Sequence, residues 1–258
     1  MRVPVLAANW KMFKNNRETL AYLREFSALV KHVDGVEVVV APPLTSIATA
    51  VEAARNTSIG IAAQNLHFET QGAFTGEVSA AMVKDAGAGY VIIGHSERRR
   101  MFGDTDAWVN KKLRAALDAD LIPIVCIGET LEERESGQMP AVLDRQIKDG
   151  LAGCTPAELA GLIIAYEPVW AIGTGKNATP AEADEAHRYI RGRLREWFNP
   201  QAAEAVRVLY GGSVKPDNVK ELNALPDVDG ALVGGASLEV SSFIKIVQNG
   251  RDGSRLKG

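Results

Sequence analysis

Residues 162–166 read Leu-Ile-Ile-Ala-Tyr and residues 206–210 read Val-Arg-Val-Leu-Tyr, with a helical pattern over 180–198 between them. Nearly continuous apolar runs of this length are typical of strands buried on both faces, which occur in parallel sheets. Thr179 and Glu182 stand at the N-cap and third positions of the predicted helix, which is the spacing of a capping box. The stretch therefore predicts a strand–helix–strand unit with parallel strands.

The same unit recurs along the chain in both directions from this stretch. Further apolar runs stand at 3–8, 36–41, 59–63, 90–93, 122–127 and 230–233. The centres of all the runs lie about 32 residues apart on average, which matches the roughly 30 residues of one strand–helix–strand unit. Additional helical patterns stand at 17–30, 45–55, 110–119 and 141–151.

The number and spacing of these units predict an α/β protein with a (β/α)₈ TIM barrel. Eight such units in about 250 residues are typical of that barrel, and near-even spacing favours a closed sheet. A doubly wound open sheet is the alternative. Because no Ser-, Gly- or Pro-rich linker divides the chain, we expect a single domain over 1–258. We expect the polar tail at 251–258 to be disordered.

Composition and charge exclude several classes of protein. Lys and Arg number 29 against 32 for Asp and Glu, and this balance argues against a nucleic-acid partner. The chain has no long uncharged apolar run, so we expect no membrane span. Two cysteines do not make a disulfide framework, and four scattered histidines show no metal-ligand spacing. We therefore expect a reduced, cytoplasmic protein without a bound metal.

Polar residues follow the predicted strands where the active sites of such barrels lie, at the C-terminal ends of the strands. These residues are Asn9, Lys11, Gln64, Asn65, His95, Ser96, Glu97, Glu129, Glu167, Gly211, Gly212, Ser213, Gly234 and Gly235. Paired glycines after the last two strands suit an anion, because backbone N–H groups can surround it. One carboxylate with a neutral polarising group suits proton abstraction beside a carbonyl. The pattern indicates a small phosphorylated carbonyl compound as the substrate.

The glycine-rich segment at 173–178 reads Gly-Thr-Gly-Lys-Asn-Ala and matches two nucleotide-binding patterns only loosely. A phosphate-binding P-loop needs Ser or Thr after the Lys, where Asn177 stands. A dinucleotide-binding turn begins directly after its strand, whereas residues 167–172 intervene here. We interpret the segment as part of a mobile lid.

Several longer motifs carry a resemblance to a known family. They are Asn9-Trp10-Lys11-Met12, Ala63-Gln64-Asn65, the stretch at 72–77, Gly94-His95-Ser96-Glu97-Arg98-Arg99, Cys126-Ile127-Gly128-Glu129, the stretch at 166–176, Tyr210-Gly211-Gly212-Ser213-Val214 and the stretch at 230–235. In this order, the chain resembles the triosephosphate isomerase family along nearly its whole length. The resemblance implies interconversion of dihydroxyacetone phosphate and glyceraldehyde 3-phosphate without a cofactor.

The resemblance also implies roles for individual residues. Glu167 resembles the base that moves the proton, and His95 resembles the imidazole that polarises the carbonyl. Lys11 resembles the cation that binds substrate, with Asn9 beside it and Glu97 as a supporting carboxylate.

Phosphate binding is implied for Gly173, Ser213, Gly234 and Gly235 through their backbone N–H groups. Ile172 and Leu232 resemble the pair that closes over the catalytic carboxylate. The stretch around Phe74, Thr75 and Gly76 resembles a loop that inserts into a second subunit, which implies a homodimer.

Two other functions compete with this interpretation. A Schiff-base aldolase on the same fold would use Lys11 as its nucleophile. A barrel retained only for binding or scaffolding should have lost one of Lys11, His95 or Glu167, and all three are present.

Overall fold

The computed structural model describes residues 2–172 and 178–257, and their strands form one closed parallel barrel. The strands are β1 Val5–Asn9, β2 Glu37–Ala41, β3 Ile59–Ala63, β4 Tyr90–Ile93, β5 Ile122–Ile127, β6 Ile163–Tyr166, β7 Arg207–Tyr210 and β8 Gly230–Val233. They pair in sequence order, and β8 pairs back onto β1. The predicted barrel is confirmed, and the alternative of an open sheet is wrong.

The strands read as continuous apolar runs because both of their faces are buried. In β1, Val5 and Ala7 belong to an inner cluster with side chains from all the other strands. Leu6 and Ala8 belong to the outer cluster, which contains the apolar faces of the helices. Alternation along a strand therefore separates the barrel interior from the helix-covered layer, as the two-residue period requires.

Helices surround the barrel. They are α1 Asn16–Val30, α2 Ile47–Ala53, α3 Ala80–Asp85, α4 Ser96–Phe102, α5 Asp106–Asp118, α6 Leu131–Glu135, α7 Met139–Gly150, α8 Pro156–Gly161, α9 Pro180–Trp197, α10 Pro200–Ala205, α11 Val219–Ala224 and α12 Val240–Ser254. Short 3₁₀ turns lie at Leu44–Ser46, Val169–Ala171, Gly235–Ser237 and Arg255–Lys257. Across the described ranges, no helix has both the length and the apolar character needed to cross a membrane.

Capping residues determine where helices α5 and α9 begin. Thr179 caps α9 and forms the predicted capping box with Glu182. Helix α5 begins four residues before the predicted start at 110, because Thr105 caps it and accepts from the Trp108 amide. Its first turn is largely exposed and so lacks the apolar periodicity that reveals a helix in sequence.

The expectation of a disordered tail is wrong for residues 251–257. Helix α12 continues to Ser254, and a 3₁₀ turn follows it. Gly253 allows this, because a Cβ atom there would lie 2.3 Å from the Lys220 carbonyl oxygen on α11. Lys257 then donates to the carbonyl of Val228, just before β8. Close helix contact at a glycine orders the tail.

Candidate active site

A cavity of about 290 Å³ lies at the C-terminal ends of the strands. The residues of the predicted site that line it are Asn9, Lys11, His95, Glu167, Ile172, Ser213, Leu232, Gly234 and Gly235. Gly173, also predicted for this site, lies outside the described residues. Barrel closure brings these residues together, since they come from strands at both ends of the chain.

Lys11 follows β1 in a conformation that lysine rarely adopts, with φ of 51°. Two neighbours hold this backbone in place: Asn9 Oδ1 accepts from the Lys11 amide at 3.0 Å, and Gln64 Nε2 donates to the Lys11 carbonyl at 2.8 Å. The Lys11 ammonium donates to Glu97 Oε1 at 2.6 Å. A strained backbone held by several partners is typical of a functional site.

His95 stands at the N-cap of α4, so its ring is fixed by the first turn of that helix. Its Nδ1 accepts from the Glu97 backbone N–H at 3.2 Å. An accepting Nδ1 carries no proton, so the neutral ring has its proton on Nε2. That Nε2 lies 3.0 Å from Glu167 Oε1 and donates to it.

Glu167 follows β6, and its carboxylate is almost fully buried. Oε2 accepts from the Ser96 amide at 2.8 Å, and Oε1 lies 3.3 Å from the Ser96 hydroxyl. Burial alone raises the pKa of Glu167, but His95, Ser96 and Lys11 outweigh burial and lower it. The carboxylate therefore rests as an ion that several donors hold.

The pKa of His95 shifts through the same contact. Burial lowers the pKa of His95, whereas the nearby carboxylates of Glu167 and Glu97 outweigh burial and raise it. The raising effect depends mainly on the 3.0 Å contact with Glu167. If a ligand separates the two groups, burial and the donating Glu97 amide favour the neutral imidazole.

Glu129 is a buried carboxylate that the sequence placed after β5 without a role. Its Oε1 accepts from the Tyr166 hydroxyl at 2.9 Å and from the Trp170 indole N–H at 3.0 Å. Arg134 Nη1 lies 3.7 Å from the same oxygen. Burial raises the pKa of Glu129, and these donors oppose it. Glu129 fixes the chain on both sides of Glu167.

The opposite wall of the cavity consists of the glycine-rich turns after β7 and β8. The 3₁₀ turn Gly235–Ser237 begins there, so its first N–H groups are free of helix partners and suit an anion. A Cβ atom on Gly212 would lie 2.2 Å from the Tyr210 hydroxyl, so a side chain there would displace the buried Tyr210 ring. Lys215 also lines this wall, which the sequence analysis missed although the residue stands two positions after Ser213.

A second cavity of about 350 Å³ lies beside the first, and Lys11 and His95 border both. Its rim carries exposed apolar side chains, with Met12 93% and Phe102 62% exposed. The segment 71–77, which contains Phe74, Thr75 and Gly76, is exposed throughout. An apolar rim of this kind beside a site is typical of a surface that another protein covers.

The site contains no ligand set for a metal within the described ranges. No group of three or more His, Cys, Asp or Glu side chains is placed there to hold an ion. The Lys11 side-chain nitrogen is ion-paired with Glu97 at 2.6 Å, so a Schiff base at this nitrogen would have to break that contact.

Comparisons with known proteins agree with one another. The profile of the family described as triosephosphate isomerase matches residues 4–250. A triosephosphate isomerase of Citrifermentans bemidjiense is 58% identical over 248 residues, which cover 96% of this chain and 99% of that protein. One from Geotalea uraniireducens is 56% identical over the same shares of the two chains.

A solved structure agrees as well. The crystal structure of triosephosphate isomerase from Bartonella henselae superposes with a TM-score of 0.87 at 41% identity. The match covers 96% of this chain and 98% of that one. The fold, the sequence motifs and the relatives agree over nearly the whole chain, so the protein belongs to the triosephosphate isomerase family.

Proposed function

We propose that the protein interconverts dihydroxyacetone phosphate and D-glyceraldehyde 3-phosphate by proton transfer through an enediolate. One observation carries the proposal: the buried Glu167 carboxylate and His95 Nε2 lie 3.0 Å apart in a cavity that Lys11 also lines. The cavity is therefore lined by a base, Glu167, a hydrogen-bond donor, His95, and a cation, Lys11. That arrangement suits removal of a proton beside a carbonyl group.

The proposed first step is removal of a proton from the substrate carbon by Glu167. The substrate displaces the resting contact between Glu167 and His95, so the carboxylate is free to act as a base. His95 then donates from Nε2 to the substrate oxygen that becomes negative. Lys11 and Asn9 stabilise the same charge, because preorganised donors act strongly where water is excluded.

The second step returns the proton from Glu167 to the adjacent carbon. A neutral imidazole suits this exchange, since it can donate to one oxygen and accept from the other as the charge moves. The Glu97 amide keeps Nδ1 unprotonated, so the exchange runs through Nε2 alone. Glu97 also holds the Lys11 ammonium in place at 2.6 Å.

We propose that the phosphate binds at the glycine-rich wall, through the N–H groups of Ser213, Gly234 and Gly235. The start of the turn Gly235–Ser237 supports this role, because the first N–H groups of such a turn have no acceptor within the turn itself. Ile172 and Leu232 line the same cavity and would cover Glu167 during the reaction. Removing water from a carboxylate raises its pKa and makes it a stronger base.

We also propose that the chain works as a homodimer. The exposed segment around Phe74, Thr75 and Gly76 would enter the second cavity of a partner subunit, beside Lys11. The exposed apolar rim of that cavity supports this assembly, because burial of such surface stabilises an interface.

The remaining proposals concern the setting of the enzyme. The free thiols of Cys126 and Cys154 fit a reducing compartment, so we propose the cytoplasm and a role in glycolysis and gluconeogenesis. Because β8 pairs with β1, we propose that the chain is a single domain.

A coupled assay with glyceraldehyde 3-phosphate tests the reaction and the base together. Glu167→Gln keeps the shape of the side chain but cannot take a proton, so we expect loss of turnover with retained folding. Glu196→Gln, an exposed carboxylate paired with Arg193, is the matched control and should keep full activity. An inactive wild-type protein, or an active Glu167→Gln variant, would contradict the proposal.

A further inference from the structure

The end of β5 lies directly against Glu167. The Glu167 amide donates to the carbonyl of Ile127, the last residue of β5, at 2.7 Å. A Cβ atom on Gly128 would lie only 1.7 Å from the Glu167 carbonyl oxygen. The backbone of Gly128 therefore forms the surface against which the backbone of Glu167 packs.

Gln146, on α7, holds this glycine from behind. Its Oε1 accepts from the Gly128 N–H at 2.7 Å, and its Nε2 donates to the Gly128 carbonyl at 3.1 Å. The side chain is buried, with 5% of its surface exposed. One amide thus satisfies both polar groups of a glycine that lies beyond the strand ladder.

We infer that Gln146 is a positioning residue for the Glu167 carboxylate. A glycine peptide turns easily, because no side chain restricts it. Gln146 binds the N–H and the carbonyl of Gly128 and so fixes the orientation of the two peptide groups on either side of this residue. The Glu167 backbone, which packs against Gly128, is thereby held in one position. Gln146 does not line the site cavity, and its side-chain hydrogen bonds go to Gly128, so it acts through that residue. The inference rests on the proposed function, in which Glu167 is the base.

The position of Gly128 also affects the next residue, Glu129, which binds the chain before and after Glu167. Glu129 follows Gly128, and its carbonyl accepts from the Val169 amide at 3.1 Å. Its carboxylate holds Tyr166 and Trp170. A turn of the Gly128 peptide therefore moves the supports before and after Glu167 at once.

The test replaces Gln146 by Met, which has a similar length and makes neither hydrogen bond. A 1 Å misplacement of a reacting group can cost about 10²-fold, so we expect kcat to fall by about tenfold to 10²-fold. KM should stay within about twofold of the wild-type value, because the phosphate wall is untouched. Gln146→Glu keeps the acceptor for the Gly128 N–H but loses the donor when ionised, and should give an intermediate kcat.

A second buried amide provides the control. Asn223 on α11 donates to the Gly250 carbonyl at 3.1 Å, and neither residue lines the site cavity. Asn223→Leu should lower the melting temperature about as much as Gln146→Met does, and it should leave kcat within about twofold of the wild-type value. This comparison separates a general loss of stability from a loss of position at Glu167.

The outcomes distinguish failure of the positioning role of Gln146 from failure of the proposed isomerase function. An active wild-type enzyme whose kcat survives in Gln146→Met would overturn the positioning role alone. If Gln146→Met does not fold, Gln146→Glu decides, and a wild-type kcat in that variant would also overturn it. An inactive wild-type enzyme would instead overturn the proposed function.

Discussion

Acid should destabilise this protein through one buried histidine, His187 on α9. Its ring is fully buried, and Nδ1 lies 3.1 Å from the Asp227 carbonyl oxygen. The ring lies against Tyr166 and Tyr210, and the charged groups that act on it are Asp229, Arg191 and Lys257. Burial lowers the pKa of His187 to about 4 from 6.5, only partly opposed by Asp227 and Asp229.

The sign and size of the effect follow from linkage. Above pH 6.5 the histidine is neutral in the folded and unfolded chains, so it contributes no pH dependence. As the pH falls below 6.5, the unfolded chain takes up a proton that the folded chain refuses until about pH 4. At 1.36 kcal/mol per pKa unit, the free energy of unfolding falls by about 3 kcal/mol across this window.

The assay is urea unfolding of the wild-type protein and His187→Asn at about pH 7 and about pH 4.5. An asparagine amide can still donate to the Asp227 carbonyl but cannot titrate. Both proteins share all other titrating groups, so the difference between their pH slopes isolates His187. Equal loss of stability on acidification in the two proteins would refute the reasoning.

Three further outcomes are expected. Glu167→Asp withdraws the proposed base by about 1 Å and should lower kcat by about 10²-fold in the coupled assay, so a wild-type kcat would contradict the role of Glu167. Thr75→Arg places a charge in the proposed dimer loop and should give a monomer in sedimentation with at least about tenfold lower kcat; an active dimer would refute the assignment. Deletion of 251–258 removes the Gly253 contact and the Lys257 hydrogen bond, and should cost on the order of 2 kcal/mol in urea unfolding while kcat/KM stays unchanged.

The sequence was sufficient for the barrel because its signals are local and repeated. A strand buried on both faces leaves an apolar run that neighbouring residues alone reveal, as at β6. The start of α5 was missed because an exposed first turn carries no such pattern. The ordered tail was missed because its order depends on Gly253 meeting a helix distant in sequence.

The candidate site likewise contains residues that the sequence revealed and residues that only the folded structure reveals. Lys11, His95 and Glu167 follow apolar strands, so their position in sequence was enough to select them. Gln146 carries no such signal, because it is one amide within a helix and its partner, Gly128, becomes visible only after the chain has folded. The anchoring of Trp170 by Glu129 likewise depends on a contact between residues 41 positions apart.

Closure of the sheet by β8 on β1 has a consequence for synthesis of the chain. Val5 of β1 pairs with Gly230 of β8, so the edge of β1 that faces away from β2 stays unpaired until β8 has been synthesised. Until residues 230–233 leave the ribosome, β1 presents unpaired backbone groups that can pair with a strand of another molecule. Substitutions that slow formation of this seam should therefore lower the yield of protein during expression while leaving the properties of the finished barrel unchanged.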